Sequence, residues 1–209
     1  MSTLVQIFNR ALERNGIHDP LTTDADDVPR ADTLNLHWPS VRSQFLQMYP
    51  WAWARSSLCP AILTVPQLDP IPLSKGFQYD MPADSIMFRY ILPDELNIEV
   101  EEWTDGTTAF LLTDYDDEIE IVYTYDLTTV TLWPEDAVTA VVLLLAMHSE
   151  MGLAEDDRFF QRNQNAFAEA MNIATMGSRL RENQKKLKRR PGLLSSRRGN
   201  IQPATTRTE

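Results

Sequence analysis

The spacing of apolar positions predicts helices at both ends of the folded part of the chain. Apolar residues at positions 4, 7, 8, 11 and 12 recur with the helical period, and Gly16 follows them, so a helix is predicted over residues 3–15. A second is predicted over residues 31–49, where Pro39 either kinks the helix or marks its true start near Trp38. The helical period returns at residue 134 and predicts helices over residues 134–151 and 155–190.

Between the two helical parts the pattern changes to that of β-strands. Strands are predicted over residues 61–65, 85–92, 97–103, 108–113 and 118–125. The dipeptide Asp105-Gly106 lies between two such runs and indicates a hairpin. Acidic residues alternate with apolar ones in several runs, so one face of the sheet is expected to meet water. The pattern therefore predicts a small antiparallel sheet inserted over residues 61–132.

The whole outline is that of an α+β protein. It comprises a bundle of about four helices, an inserted antiparallel β lobe and an extended basic C-terminal tail. We divide the chain into a body, residues 1–178, and a basic extension, residues 179–209. The last 19 residues, from Pro191 onward, have few apolar side chains and are not expected to fold without a partner surface.

Charge separates these two parts sharply. The chain has a formal charge of −11, but residues 179–209 hold 10 basic and two acidic side chains, a net +8. The remaining residues carry −19. Such a body repels nucleic acid, whereas the basic extension attracts an acidic partner. The side chains predicted to bind that partner are Lys185, Lys186, Lys188, Arg189, Arg190, Arg197 and Arg198.

Cysteine content and hydropathy indicate assembly in a reducing cytosol. Cys59 is the only cysteine, so the chain holds no internal disulfide and a zinc cluster is not expected. Met1 leads directly into a polar–apolar periodic segment, so no signal peptide is expected. The most apolar run, residues 137–147, is about half the length of a membrane-spanning helix and is interpreted as a buried core helix.

A search for reactive groups assigns no catalytic, cofactor-binding or metal-binding residue. The three histidines, His18, His37 and His148, share no metal-ligand spacing. Acidic residues cluster at 99–102 and 114–120, and paired carboxylates can cleave glycosides or hold a divalent metal. Residues 114–118 lack the glycine of a calcium loop, and alternating acids are usual on the water-facing side of a strand. The sequence therefore favours a protein that is not an enzyme and needs no cofactor.

Four segments, taken in order, resemble a known family. In residues 44–55 an amphipathic helix ends on Pro-Trp-Ala-Trp-Ala, and in residues 77–89 a Tyr-x-x-Pro-x-Asp turn leads into an apolar strand. Residues 121–136 contain Ile-Val-Tyr-Thr-Tyr-Asp and then Trp-Pro-Glu-Asp, which opens an apolar helix, and residues 167–174 belong to a closing helix. This series resembles the tail tubular protein A family, the head-to-tail adaptors of short-tailed phages.

The resemblance implies a structural protein of the virion. Members of the family form a ring, expected here to be dodecameric, between the portal protein and a tail nozzle of the tail tubular protein B type. Double-stranded DNA passes through the channel at genome ejection without sequence-specific binding. The implied location is the portal vertex and tail, after assembly in the host cytoplasm, and no membrane is involved.

Within these segments four residues are assigned to the structural core: Trp51, Trp53, Pro82 and Asp84. The tryptophans are large apolar anchors, Pro82 fixes a turn, and Asp84 is expected to cap that turn through its own backbone. The alternative function is a nucleic-acid-binding protein that uses the basic extension. Aromatic residues among the basic ones would favour that alternative, and residues 179–209 contain none.

Overall fold

The computed structural model of the chain describes residues 2–61, 63–64, 75–92, 98–104, 109–153 and 158–188. Four α-helices form one bundle in which α3 packs against the other three. The helices are α1 (Leu4–Arg14), α2 (Pro29–Gln47), α3 (Glu135–Leu153) and α4 (Arg158–Lys188). A short 3₁₀ helix, Val130–Leu132, precedes α3.

Local sequence explains where the first two helices begin. Thr3 and Gln6 form a reciprocal capping box that satisfies free backbone N–H groups at the start of α1. Helix α2 begins at Pro29, a residue well suited to the first turn because its fixed φ matches the helix and the missing N–H costs nothing there. Pro39 therefore lies inside α2 and does not start it.

Helix α3 is apolar on every side because it is the centre of the bundle. Nine of the ten residues over 137–146 are buried, and the tenth, Thr139, is half-buried. The buried apolar residues are Ala137, Val138, Ala140, Val141, Val142, Leu143, Leu144, Leu145 and Ala146. A helix that is hydrophobic all round needs neighbours on all its faces, and α1, α2 and α4 provide them.

The β lobe between α2 and α3 contains two antiparallel sheets. Its strands are β1 (Arg55–Leu58), β2 (Leu63–Thr64), β3 (Phe77–Asp80), β4 (Ser85–Leu92), β5 (Glu101–Thr104), β6 (Ala109–Thr113) and β7 (Glu120–Tyr125). One sheet has the order β1-β7-β4 and the other β2-β3-β6-β5. The α+β class, with a β lobe inserted into a bundle of four helices, is confirmed.

The lobe begins earlier than predicted and includes two strands that the sequence pattern did not reveal. Strand β1 contains two serines and has no buried residue, and it is held by its pairing with β7. Strand β3 is only four residues long and pairs with β6. The predicted hairpin is confirmed, since Thr104 of β5 is opposite Ala109 of β6, while Asp105 and Gly106 lie outside the described residues.

Two apolar cores meet between the bundle and the lobe. The larger is built from the helices and includes Trp51, Trp133 and the buried face of α3. The smaller fills the space between the two sheets and includes Tyr79 and Ile121. Tyr125, at the end of β7, packs against both cores. The point where these cores touch is where the segments of the family resemblance come together.

Candidate functional site

The junction between bundle and lobe brings together residues 51–54, 82–89 and 124–126, and we call these residues the junction. Two backbone hydrogen bonds join them. The Tyr125 N–H donates to the Ala54 carbonyl oxygen at 3.1 Å, and the Asp126 N–H donates to the Asp84 carbonyl oxygen at 2.8 Å. Three stretches that are far apart in sequence are thereby held in one place.

Arg89 ties this junction together through its side chain. The guanidinium donates from Nη2 to the Trp51 carbonyl oxygen at 2.6 Å and from Nε to Thr124 Oγ1 at 2.9 Å. Strand β4 shifts register against β7 between Phe88 and Tyr90, so Arg89 has no residue opposite it. Such a bulge turns a side chain away from the regular alternation. At this bulge in β4, the Arg89 side chain reaches Trp51 on the bundle side of the junction.

The guanidinium of Arg89 is partly buried, and this changes its pKa. Burial, together with the positive charge of Arg55, lowers the pKa of this guanidinium to about 10. Arg55 itself donates from Nη1 to the Tyr90 hydroxyl at 3.1 Å. Arg89 still carries its charge at neutral pH, so its hydrogen bonds to Trp51 and Thr124 are charge-assisted and offset part of the cost of burying it.

A second arginine links the lobe to helix α2. Arg42 donates from Nε and Nη2 to the two carboxylate oxygens of Asp126, at 2.8 and 2.7 Å. Both side chains are largely covered, with 16% and 31% of their surfaces exposed. A bidentate pair fixes orientation as well as distance. Because Asp126 directly follows β7, this ion pair sets the angle at which the lobe leaves the bundle.

The bundle side of the junction is a cluster of aromatic rings. Trp51 is fully buried and stacks on Phe45 with ring centroids 4.8 Å apart. Its indole N–H donates to the Phe45 carbonyl oxygen at 2.9 Å, and the same carbonyl accepts from the Met48 N–H at 3.3 Å. Trp53 lies between Trp51 and Trp133, with centroids at 5.7 and 5.0 Å. The irregular turn after α2 is thus wedged into the core.

The four residues assigned to the structural core have different positions. Trp51 is buried, and Trp53 and Pro82 are half-buried. Asp84 is exposed, and its described bond is made by the backbone carbonyl rather than by the carboxylate. The turn itself is closed by the Ser85 N–H, which donates to the Pro82 carbonyl oxygen at 2.9 Å. Asp84 is therefore not a core side chain, because its position on the turn requires only its main chain.

The C-terminal part of α4 packs on the same junction. The Ala52 N–H donates to the buried Ser178 hydroxyl at 2.8 Å. Arg179 donates from Nε to the Tyr49 hydroxyl at 3.1 Å, and its guanidinium lies 5.9 Å from that ring. Arg181 pairs with Asp136 of α3 at 3.1 Å. The packed part of α4 therefore extends at least to Arg181, and the division of the chain after residue 178 stays a prediction.

Gly177 shows how close α4 comes to α3 at this point. A Cβ atom added there would lie 2.1 Å from Asp136 Oδ2, a distance that no side chain tolerates without movement. Asp136 is the carboxylate that pairs with Arg181 one turn later. A glycine at this position thus allows the close approach on which the ion pair depends.

The basic residues predicted to bind a partner lie beyond this region. The side chains of Lys185, Lys186 and Lys188 lie outside the described residues, although their backbone belongs to α4. Arg189, Arg190, Arg197 and Arg198 lie outside the described residues altogether. Their predicted role stays a prediction.

Of the acidic residues that the structure describes in the lobe, most are exposed and few pair with a cation. Lys75 is covered, and it lies 3.3 Å from Asp114 and 3.7 Å from Glu99. These carboxylates raise the pKa of Lys75, mainly through its hydrogen bond to Asp114. Within the described ranges no group of three or more His, Cys, Asp or Glu side chains is arranged to hold a metal ion. The helices of that same part of the chain include none that is long and apolar enough to cross a membrane.

No protein-family model matches the chain, and no curated protein matches it.

Two residues that link the lobe to the bundle, Arg89 and Arg42, are not among the site residues predicted from the sequence. Arg89 stands in the turn-and-strand segment of the resemblance, which is a signal that could have identified it. Arg42 offers no such signal, because its partner Asp126 lies 84 positions away.

Proposed function

We propose that this chain is a structural subunit of a phage virion. It forms the ring-shaped adaptor between the portal protein and the tail nozzle, through which double-stranded DNA leaves the head. It carries out no catalysis and needs no cofactor. It is assembled in the host cytoplasm and remains at the portal vertex and tail.

An exposed apolar stripe on α4 carries this proposal. Ile173, Met176 and Leu180 are 57%, 64% and 63% exposed, and their spacing of three and four residues places them on one face of the helix. Single exposed apolar residues are common, but a row of three along a helix indicates a surface that another protein covers. A neighbouring subunit of a ring would cover it.

The junction geometry also suits an adaptor. Two arginines at the junction make hydrogen bonds within the subunit. Arg42 donates to Asp126, and Arg89 donates to Trp51 and Thr124. These ties hold the lobe at a defined angle to the bundle. A ring requires identical subunits with one fixed shape, because small differences in angle add up around the circle.

The charge of the lobe suits a channel for DNA. Residues 55–126 contain 15 acidic and three basic side chains. A surface of this sign does not retain a polyanion that slides past it, since DNA binding depends on cationic side chains that release its counterions. If the lobe lines the channel, the DNA moves without being held.

The stripe provides the test of this function. We expect the double substitution Ile173→Asp and Leu180→Asp to leave the fold intact, because both side chains are exposed, and to abolish sedimentation of the chain with portal rings. The matched control is Leu36→Asp, which places one charge at a site on α2 that is 76% exposed. The control should sediment with the portal as the unmodified chain does. A doubly substituted chain that sediments equally well would contradict the proposed interface.

A further inference from the structure

An apolar groove runs between the two sheets of the lobe at their outer strands. Strand β4 is the last strand of one sheet and β5 the last strand of the other. The groove between them has a volume of about 260 Å³. Its lining includes the large apolar side chains of Met81, Ile86, Met87, Phe88, Trp103 and Phe110, together with the acidic side chain of Glu102. This composition fits apolar side chains that arrive together with positive charge.

The backbone of β4 offers a second means of attachment. Among the described residues, β4 pairs only with β7, so its other edge has no neighbouring strand there. The N–H and C=O groups of such an edge can pair with an added extended segment. A peptide in the groove could therefore gain both main-chain hydrogen bonds and apolar contacts.

The charge of the lobe favours a positively charged segment in the groove. Its three basic side chains are already engaged, Arg55 with Tyr90, Lys75 with Asp114, and Arg89 with Trp51 and Thr124. By contrast, Glu102 of β5 lines the groove, and it is exposed. The unbalanced negative charge favours a cationic segment.

We propose that residues 189–209 of this chain bind in the groove of their own subunit. This segment contains the apolar pair Leu193-Leu194, followed at once by Ser-Ser and by Arg197-Arg198. A leucine would fill the apolar groove while the arginines meet Glu102. The segment has too few apolar residues to fold alone, and the groove supplies the partner surface it needs.

The position of α4 makes the segment's own lobe the nearest site. Glu182 lies close enough to Arg89 of β4 to act on its pKa. Lys188, where α4 ends, is six residues further, or about 9 Å along the helix axis. The five residues from there to Leu193 can span about 17 Å. This span exceeds the length by which α4 continues past Glu182, so an extended segment can return to the level of Arg89, the neighbour of Phe88 in β4. A short tether gives a local concentration on the order of millimolar.

A photo-crosslinking experiment on the full chain tests this proposal without any virion component. A benzophenone amino acid replaces Leu194, and the crosslinked peptides are mapped by mass spectrometry in an equal mixture of ¹⁴N- and ¹⁵N-labelled protein. We expect crosslinks to residues 81–88 and 102–110 within single-isotope species. Crosslinks of mixed isotope would show a neighbouring subunit as the site, and crosslinks to the helical bundle would show another surface. Either result would overturn the proposal.

Charge variants make the test specific to the groove. The substitution Glu102→Lys should lower the crosslink yield roughly fivefold, as expected when the carboxylate that lines the groove is replaced by a positive charge. The matched control, Glu118→Lys, makes the same change of charge at an exposed position of the lobe that does not line the groove. An equal fall in yield in both variants would mean that only the overall charge matters and that the groove is not the site. The adaptor function is not at stake in this experiment, because no portal is present.

Discussion

Substitution of Trp51 by alanine should destabilise the whole body of the protein. The indole is fully buried and contacts the rings of Phe45, Tyr49 and Trp53 at centroid distances of 4.8, 5.1 and 5.7 Å. Its N–H also donates to the Phe45 carbonyl oxygen. The substitution therefore removes ring contacts and a buried hydrogen bond at the point where lobe and bundle meet.

The expected loss is a large part of the total stability. Removal of a buried tryptophan costs about 3–5 kcal/mol, which already includes the cavity left behind. The lost hydrogen bond adds about 1 kcal/mol. A folded domain is more stable than its unfolded chain by only about 5–15 kcal/mol, so Trp51→Ala should lower the free energy of unfolding by about 4–6 kcal/mol and leave little margin.

Urea unfolding followed by far-ultraviolet circular dichroism measures this loss. The control is Leu36→Ala, at a side chain that is 76% exposed, which should change the free energy of unfolding by less than about 0.5 kcal/mol. A Trp51→Ala protein with the unfolding midpoint of the unmodified chain, yet unable to join the portal, would refute the structural role of Trp51 and assign it to an interface.

Two further predictions concern single polar contacts. In a double-mutant cycle, Arg89→Met and Thr124→Val should show a coupling energy of about 1–2 kcal/mol in urea unfolding, since their side chains are 2.9 Å apart, and additive effects would contradict this bond. Asp26 accepts hydrogen bonds from the Thr23 hydroxyl and the Thr22 N–H, and these lower its pKa to about 2. Its stabilising effect should be present above the ordinary pKa near 4 and lost as the pH falls through about 2. A carboxyl NMR titration with a midpoint near 4 would contradict these bonds.

Sequence patterns predicted the helices well because each carries a clear signal, such as the periodic apolar face of α1 or the continuous apolar run of α3. The predicted span of residues 134–151 corresponds to Glu135–Leu153, and residues 85–92 correspond to β4 without any shift. Strand β1 could not be predicted in this way, because its four residues carry no alternation and its place depends on β7, more than 60 positions away. Short strands are fixed by their partners rather than by their own residues.

The candidate site was predictable only in its apolar part. Trp51 is large enough that burial was the natural expectation, and the structure buries it fully. The pairing of Arg42 with Asp126 depends on how lobe and bundle are placed, which no local pattern specifies. The bulge that leaves Arg89 without an opposite residue is likewise a property of the β4–β7 pair, not of β4 alone.

The central claim, that this chain is a head-to-tail adaptor, is tested most directly by electron microscopy of the purified chain mixed with portal rings. We expect the chain to be monomeric or weakly associated alone, because its acidic body opposes free ring closure. With portal present, the micrographs should show a second ring of the chain bound to one face of the portal. Portal rings that remain bare at saturating concentrations of the chain would contradict the account.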